Sequence, residues 1–244
     1  MNNRKELKFL CDDRMLVQVE NKIKGIMRRD IHQMGDCYKI RSVYFDSPDD
    51  RCLNDNISGV GTRSKYRLRI YDCNDKVIKA EIKSKYYDTT HKESEGISRE
   101  QFEACIHAGK IQDIVGKASY GKEVCKGASA GEKKETTVML RIAQKIKAEG
   151  YRPAAIVEYE RSAYTYMPCN VRVTFDRNIA VSRNWDLFFE RDMPAIPVCE
   201  TGIHMIEVKY DEFLPEYILM LLKAGDMRRA SFSKYYMARE AMIL

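Results

Sequence analysis

No pair of cysteines in this sequence has the Cys-x-x-Cys spacing, and its four histidines do not have the spacing of metal ligands. The polar N-terminus, residues 1–6, does not resemble a secretory leader. Eight scattered cysteines in a chain of this size therefore predict reduced thiols in a cytoplasmic protein rather than a disulfide framework. We expect the histidines to be surface or packing residues.

Long apolar runs are also lacking. None approaches the about 18 residues that span a membrane, so we expect no span in this chain, and the sequence leaves a membrane partner open.

The charge is nearly balanced, with 42 Lys and Arg against 36 Asp and Glu, a net charge of +6. This mild surplus suits an anionic ligand but is weak for nucleic acid, which we do not expect as a partner. A hydrophobic fraction of 44% and a length of 244 residues predict one packed domain, residues 1–244.

A complete P-loop is missing as well. Residues 116–122 satisfy most of that phosphate-binding pattern, but Glu123 stands where a Ser or Thr hydroxyl should reach magnesium, and no clear apolar strand precedes the segment. Residues 116–135 are rich in Gly, Lys and Ser, which predicts a mobile loop instead.

Hydrophobic periodicity predicts a mixture of helices and strands. Helices are predicted at 12–29, 99–108, 134–149, 214–224 and 233–243. Strands are predicted at 37–46, 62–72, 76–85, 154–166, 169–176 and 203–210. Residues 72–75 have the composition of a hairpin turn between two of these strands.

The predicted strands share an apolar face and a strongly charged face. Lys65, Arg67 and Arg69 fall on one side of their strand because side chains alternate. One interpretation is an antiparallel sheet with its polar face in water. We favour another, because the charges come as Arg-x-Arg and Glu-x-Lys pairs and several amphipathic helices need an apolar surface to cover. The charged faces then converge in a polar lumen, which repels its own charges unless an anion or a metal fills it.

These pairs belong to an ordered set of motifs along nearly the whole chain except residues 110–135. The set consists of Glu6-x-Lys8, Ser42 to Asp46, Lys65 to Arg69, Glu81-x-Lys83, Tyr159 to Tyr164, Arg172 to Asp176, Glu207-Val208-Lys209 and Ser233-Lys234-Tyr235. It resembles the polyphosphate polymerase (VTC) domain of the triphosphate tunnel metalloenzymes, a CYTH-like superfamily.

The resemblance implies an α+β fold: an eight-stranded antiparallel β-barrel tunnel with a polar lumen, flanked by α-helices. It implies that phosphates are bound by Lys8, Arg67, Arg69, Lys83, Tyr159, Arg161, Arg172, Lys209, Ser233 and Lys234. Glu207 would be the main ligand of Mn²⁺ or Mg²⁺, with Glu6 and Glu81 as weaker candidates. The family's lysine after the second charged strand is either Lys85 or Lys92.

The same resemblance implies an enzyme that moves the γ-phosphate of ATP onto a growing polyphosphate chain and releases ADP. ATP and polyphosphate or pyrophosphate would be its partners, and catalysis would consist mostly of positioning and charge neutralisation. The catalytic residues would be Arg67, Arg69, Lys83, Arg161, Lys209 and Lys234. Two alternatives stay open: a triphosphatase that uses water as the acceptor, and a non-catalytic polyphosphate- or nucleotide-binding module.

Overall fold

The computed structural model describes residues 5–87, 89–107, 137–222, 227–229 and 233–242. In these residues the strands are β1 (Lys5–Asp12), β2 (Arg28–Arg29), β3 (Tyr38–Asp46), β4 (Thr62–Tyr71), β5 (Asn74–Tyr86), β6 (Thr89–Ile97), β7 (Arg152–Tyr166), β8 (Val171–Ser182), β9 (Ile196–Pro197), β10 (Ile203–Tyr210) and β11 (Arg228–Arg229). The helices are α1 (Asp13–Lys24), α2 (Arg51–Ile57), α3 (Arg99–Ile106), α4 (Val138–Glu149), α5 (Glu216–Leu222) and α6 (Lys234–Ala241).

One antiparallel sheet runs through the molecule in the order β11-β1-β10-β8-β7-β3-β4-β5-β6. The eight strands of eight residues or more are the tunnel strands, which confirms the α+β class and the antiparallel tunnel. The expected barrel needs one correction, because in the described residues the backbone hydrogen bonds do not close into a ring. Strands β1 and β5, distant in the sheet order, meet through side chains instead, since Lys83 Nζ lies 3.5 Å from Glu6 Oε2.

The tight turn between β4 and β5 sets the register of this hairpin. Asp72 and Cys73 both have positive φ, 49° and 52°, as a two-residue hairpin turn of the primed kind requires. The register then places Arg67 opposite Glu81 and Lys65 opposite Lys83. Two charged pairs of the hairpin therefore share the tunnel face.

The apolar faces of the strands pack under the helices in two clusters. The larger one lies beneath α3 and α4, where Phe102 and Ile142 are fully buried against sheet residues such as Leu68. The smaller one joins α1 and α5 to β8 and β10 and contains Val19 and Ile218. This burial of the outer faces leaves the charged faces to line the interior.

Several predicted boundaries move, and the predicted elements did not include α2, β1, β6 and the two-residue strands β2, β9 and β11. The helix predicted at 12–29 ends at Lys24, because Gly25 caps it and residues 28–29 pair with β7 as β2. Helix α2 was not predicted, and β6 was missed because most of its side chains are exposed and give no apolar alternation. The loop predicted at 116–135 lies outside the described residues.

The described cysteines, seven in number, are all free thiols. No helix in the described part of the chain is both long and apolar enough to cross a membrane.

Candidate functional site

The two arginines of β4 point into the tunnel between β3 and β5. The Nε atom of Arg67 donates to Glu81 Oε2 at 2.6 Å, and Nη1 donates to the Tyr44 hydroxyl at 2.9 Å. Arg69 donates from Nε to Ser42 Oγ at 3.0 Å and from Nη2 to the Tyr159 hydroxyl at 3.3 Å. Burial lowers the pKa of Arg67, but Tyr44 and Glu81 outweigh it and raise the pKa above its usual value. Hydrogen bonds thus hold both guanidinium groups in place, and that of Arg67 stays charged.

Glu81 is the counter-charge of this arginine pair and is 1% exposed. It also forms an ion pair with Lys92 of β6. Burial raises the pKa of Glu81, yet Arg67, Arg69 and Lys92 together lower it well below its usual range. Of the two lysines left open by the sequence, Lys92 therefore joins this cluster. Both carboxylate oxygens of Glu81 are paired closely with cations, so the structure shows it as an anchor for the arginines, and its role as a metal ligand stays a prediction.

A second cluster surrounds Asp176 of β8, which is completely buried. Arg161 binds its carboxylate through two hydrogen bonds of 2.6 and 2.7 Å, and Lys234 Nζ lies 2.6 Å from Oδ2. The cations of Arg161 and Lys234 also lie over the Tyr159 ring, at 5.1 and 4.9 Å from its centroid. Burial raises the pKa of Asp176, but Arg161 and Lys234 outweigh burial and lower the pKa below its usual value. The carboxylate is therefore ionised.

Lys234 enters the tunnel because α6 is anchored beside it. The Ser233 hydroxyl caps this helix by accepting the amide of Tyr236 at 3.1 Å. The Tyr235 hydroxyl donates to the buried carboxylate of Asp46, which also accepts the amides of Cys52 and Leu53 from α2. The hydroxyl of Ser233 thus has a structural contact, and its predicted contact with phosphate stays a prediction.

Strands β1 and β10 contribute two carboxylates and two lysines. The register places Glu6 opposite Lys209 and Lys8 opposite Glu207. Lys8 Nζ lies 2.9 Å from Glu6, and Lys209 Nζ lies 2.6 Å from Glu207. Burial and Glu207 raise the pKa of Glu6, but the nearby lysines outweigh them and lower it. The pKa of Glu207 is also well below its usual value, since Lys209 and Lys234 outweigh the effect of burial.

Glu6 and Glu207 are the carboxylates whose chemistry fits a metal. They interact electrostatically across the β1–β10 pair, and both are ionised. Magnesium is often held by only one or two carboxylates, with water and substrate phosphates completing its octahedron. Within the described ranges, no group of three or more His, Cys, Asp or Glu side chains could hold a metal by protein ligands alone. A metal here would therefore depend on phosphate oxygens.

Arg172 is a predicted site residue whose ion pair lies outside these clusters. It lies opposite Lys209 on β8, but its guanidinium pairs with Asp30 Oδ2 at 3.0 Å, in the segment after β2. Its Nε is buried without a hydrogen-bond partner.

Asp176, Tyr44 and Lys65 are tunnel residues that the sequence-based assignment did not include. Asp176 shares its strand face with Arg172 because both alternate with apolar residues on β8. The same alternation places Lys65 with the two arginines of β4. That signal was present in the sequence, whereas the roles of these residues depend on contacts between distant strands.

The family model described as the VTC domain matches residues 3–243. The chain belongs to the VTC domain family. This membership confirms the resemblance that the ordered motifs indicated. No curated protein matches the sequence significantly.

Solved structures are similar to this VTC domain over most of its length. A putative adenylyl cyclase from Hippeastrum, described as revealing a dominant triphosphatase activity, has 14% sequence identity and a TM-score of 0.54, covering 97% of this chain and 95% of its own. A putative adenylate cyclase from Bacillus halodurans has 13% identity and a TM-score of 0.47, covering 91% of this chain and 86% of its own. At these identities the Hippeastrum structure supports the fold alone.

The tunnel of this VTC domain carries more positive than negative charge. Its cations in the described residues are Lys8, Lys65, Arg67, Arg69, Lys83, Lys92, Arg161, Lys209 and Lys234. Its carboxylates are Glu6, Glu81, Asp176 and Glu207. Nine cations thus face four carboxylates, and the surplus is far more concentrated here than in the chain as a whole.

Proposed function

We propose that this VTC domain is a metal-dependent polyphosphate polymerase that transfers the γ-phosphate of ATP to a growing polyphosphate chain and releases ADP. The observation that carries the proposal is the surplus of cations in the tunnel. Isolated like charges in a partly buried space are costly, and a polyanion offsets that cost. A polymer of phosphates, with charge on every unit, is the ligand that uses such a long row of cations most fully.

The lysines of the tunnel support this interpretation. The pKa of Lys83 is lowered, first by burial and then by the charges of Lys209 and Lys8, although Glu6 opposes the shift. The surroundings of Lys83 therefore disfavour its positive charge. A bound polyanion reverses this effect, because opposite charges favour the protonated form of an amine.

In the proposed reaction, a terminal phosphate oxygen of the acceptor chain forms a bond with the γ-phosphorus of ATP. The bond between this phosphorus and the bridging oxygen breaks, and the electron pair leaves with ADP. The attacking oxygen is already anionic and needs no strong base, so catalysis can rest on alignment and charge neutralisation.

The described contacts suggest a role for each group. Arg67 and Arg69 offer planar guanidinium groups suited to bidentate phosphate contacts, whereas lysines act as movable point charges. Arg161 and Lys234, joined through Asp176, offer a second charged pair on the other side of Tyr159. The phosphate-binding lysines of the remaining wall would be Lys8, Lys83 and Lys209.

Mn²⁺ or Mg²⁺ would be held by Glu207 with help from Glu6. When bound, such an ion supplies positive charge to the phosphate oxygens and favours the departure of the leaving group. The surrounding lysines keep both carboxylates ionised and ready to bind a cation.

A triphosphatase is the second candidate, because the same tunnel could position water as the acceptor. The Hippeastrum relative, described as having a dominant triphosphatase activity, favours it at the level of the fold. A non-catalytic module that binds polyphosphate or nucleotide is the third candidate. It requires the metal-binding carboxylates to be dispensable.

The deciding experiment incubates the purified protein with ATP and either Mn²⁺ or Mg²⁺ and resolves the products by gel and phosphate assay. Long phosphate polymers with a matching amount of ADP would establish the polymerase. Free phosphate without polymer would assign a triphosphatase, and no turnover with either metal would favour the binding module.

Glu207→Ala tests the metal assignment in the same assay. We expect turnover to be abolished while ATP still binds, because the cations that hold phosphate remain. Glu212→Ala, at an exposed position just beyond β10, is the control and should keep full activity. Activity retained in the Glu207 variant would rule out the metal role of this residue.

A further inference from the structure

Lys65 extends the row of cations on β4 by one position. It shares the tunnel face with Arg67, and because a strand rises about 3.4 Å per residue, it lies about 7 Å farther along the tunnel. In the register it stands opposite Lys83 of β5, which stands opposite Lys92 of β6. Three lysines therefore form one rung across three neighbouring strands.

Lys65 differs from the other tunnel cations in its partner. Each of the other eight has a carboxylate oxygen within 4.0 Å. For Lys65 no such carboxylate is found anywhere in the described part of the chain, and its Nζ donates to the neutral Asn56 Oδ1 of α2 at 2.7 Å. The amide orients the ammonium group without neutralising it.

The surroundings of Lys65 add further positive charge. Burial lowers its pKa first, and Lys83, Lys8 and Arg63 lower it further, to about 7. Lys83 comes from β5, Lys8 from β1 and Arg63 from β4 itself, while α2 contributes Cys52 beside Asn56. Several cations surround an ammonium group that is oriented but not neutralised. This local positive charge favours the binding of an anion and opposes the binding of a divalent metal.

We propose that Lys65, oriented by Asn56, binds a phosphate unit beyond those held at Arg67 and Arg69, and so favours linear polyphosphate over ligands as short as triphosphate. This inference rests on the proposed function only in that the tunnel binds a phosphate polyanion. Lys65 itself has no carboxylate partner in the described residues, so this unit would be bound by the ammonium group and not through a metal. Internal units of polyphosphate fit such a position, because each carries a charge and needs only an opposite charge and a hydrogen-bond donor.

Binding of the chain at Lys65 should be linked to proton uptake. The free pKa of about 7 means that a substantial fraction of the ammonium is deprotonated near pH 8, and a bound anion raises that pKa. The affinity for polyphosphate should therefore be highest below pH 7 and should fall as the pH rises towards the pKa of the bound state.

The test measures binding of linear polyphosphate of defined length and of tripolyphosphate, each without metal, by calorimetry at pH 6.5 and pH 8.5. For Lys65→Met we expect polyphosphate to bind about tenfold or more weakly at pH 6.5, with a change below about twofold for tripolyphosphate. Lys65→Arg should keep the affinity and lose this component of its pH dependence, because arginine stays charged throughout. Lys76→Met, an exposed lysine on β5, is the control for loss of one positive charge.

Equal weakening of both ligands in Lys65→Met, or none in either, would overturn the inference. If Lys65→Met proves poorly folded, the test is the pH dependence of polyphosphate affinity in the Lys65→Arg variant. A pH dependence equal to that of the wild type overturns the inference. Failure of the inference is distinguishable from failure of the proposed function. A wild-type protein that makes polymer from ATP while Lys65→Met binds chains normally contradicts only the inference, whereas a wild-type protein that binds no polyphosphate contradicts both.

Discussion

When no phosphate is added, the Asp176→Asn variant should be less stable than the wild type. It should also bind phosphate anions more tightly than the wild type does. Asp176 is fully buried and neutralises Arg161 and Lys234 at 2.6 to 2.7 Å. The asparagine keeps the size of the side chain but removes its charge. Two buried cations are then left facing each other beside the Tyr159 ring.

Removal of one partner from a buried ion pair costs about 3 to 5 kcal/mol. We expect the lower end, about 3 kcal/mol, because the asparagine oxygen still accepts one hydrogen bond from Arg161. An anion bound beside the two cations supplies the missing negative charge. Tripolyphosphate should therefore bind at least about tenfold more tightly to the variant, which corresponds to about 1.4 kcal/mol of added stabilisation.

Urea unfolding with and without tripolyphosphate measures both effects. Asp36→Asn is the matched control, because Asp36 pairs with Arg29 at 2.9 Å but is 97% exposed, so its loss should cost little. If Asp176→Asn unfolds at the same urea concentration as the wild type, the buried pair does not stabilise the fold. If the anion stabilises both proteins equally, phosphate is not bound next to Arg161 and Lys234, and the proposed site is misplaced.

Two further predictions concern acid and the helix that carries Lys234. Because the pKa values of Asp176 and Glu207 are lowered in the folded state, their contribution to stability is present above the unfolded values of about 4 and is lost as the pH falls towards the folded values. Urea unfolding between pH 6 and pH 3 should show this loss, and Asp176→Asn should show less of it. Tyr235→Phe removes the hydroxyl that binds Asp46 and should cost about 1 to 3 kcal/mol. It should also lower kcat more than it changes KM, since α6 holds Lys234. The control is Tyr236→Phe, which removes a hydroxyl that bonds to Glu240 on the same helix, and an equal kcat for the two variants would contradict this role.

The polar lumen of the tunnel could be predicted from the sequence, because apolar and charged residues alternate along the strands and so define two opposite faces. Strand β6 shows where this signal ends. Its residues are mostly exposed, so it lacks the apolar alternation that marks a buried strand, and only pairing with β5 fixes it. The side-chain contact between β1 and β5 was equally hidden, since Lys83 and Glu6 are 77 residues apart.

The same limit applies to the site. The ordered motifs predicted the cations of β4 and the carboxylate Glu207 as site residues, and the structure places these side chains on the tunnel face, as local periodicity predicts. They could not assign Glu81, which the sequence suggested as a metal candidate, because its partners Arg67 and Lys92 belong to two different strands. Ser233 was predicted to contact phosphate, yet its hydroxyl caps α6, as a serine before a helix commonly does.

The distribution of charge along the tunnel separates the two enzymatic candidates. A metal-bound triphosphate needs carboxylates for the ion and cations for three phosphates, and the groups around Glu207, Arg161 and the β4 arginines meet both needs. A triphosphatase would require nothing more. The rung at Lys65 lies beyond these groups, with added cations and no carboxylate partner for Lys65 among the described residues. Under the proposed function, such a rung would add little to the binding of a triphosphate but would bind one more unit of a polyphosphate chain. Lys65 is therefore the position at which a polymerase and a triphosphatase on this fold should differ in their response to mutation.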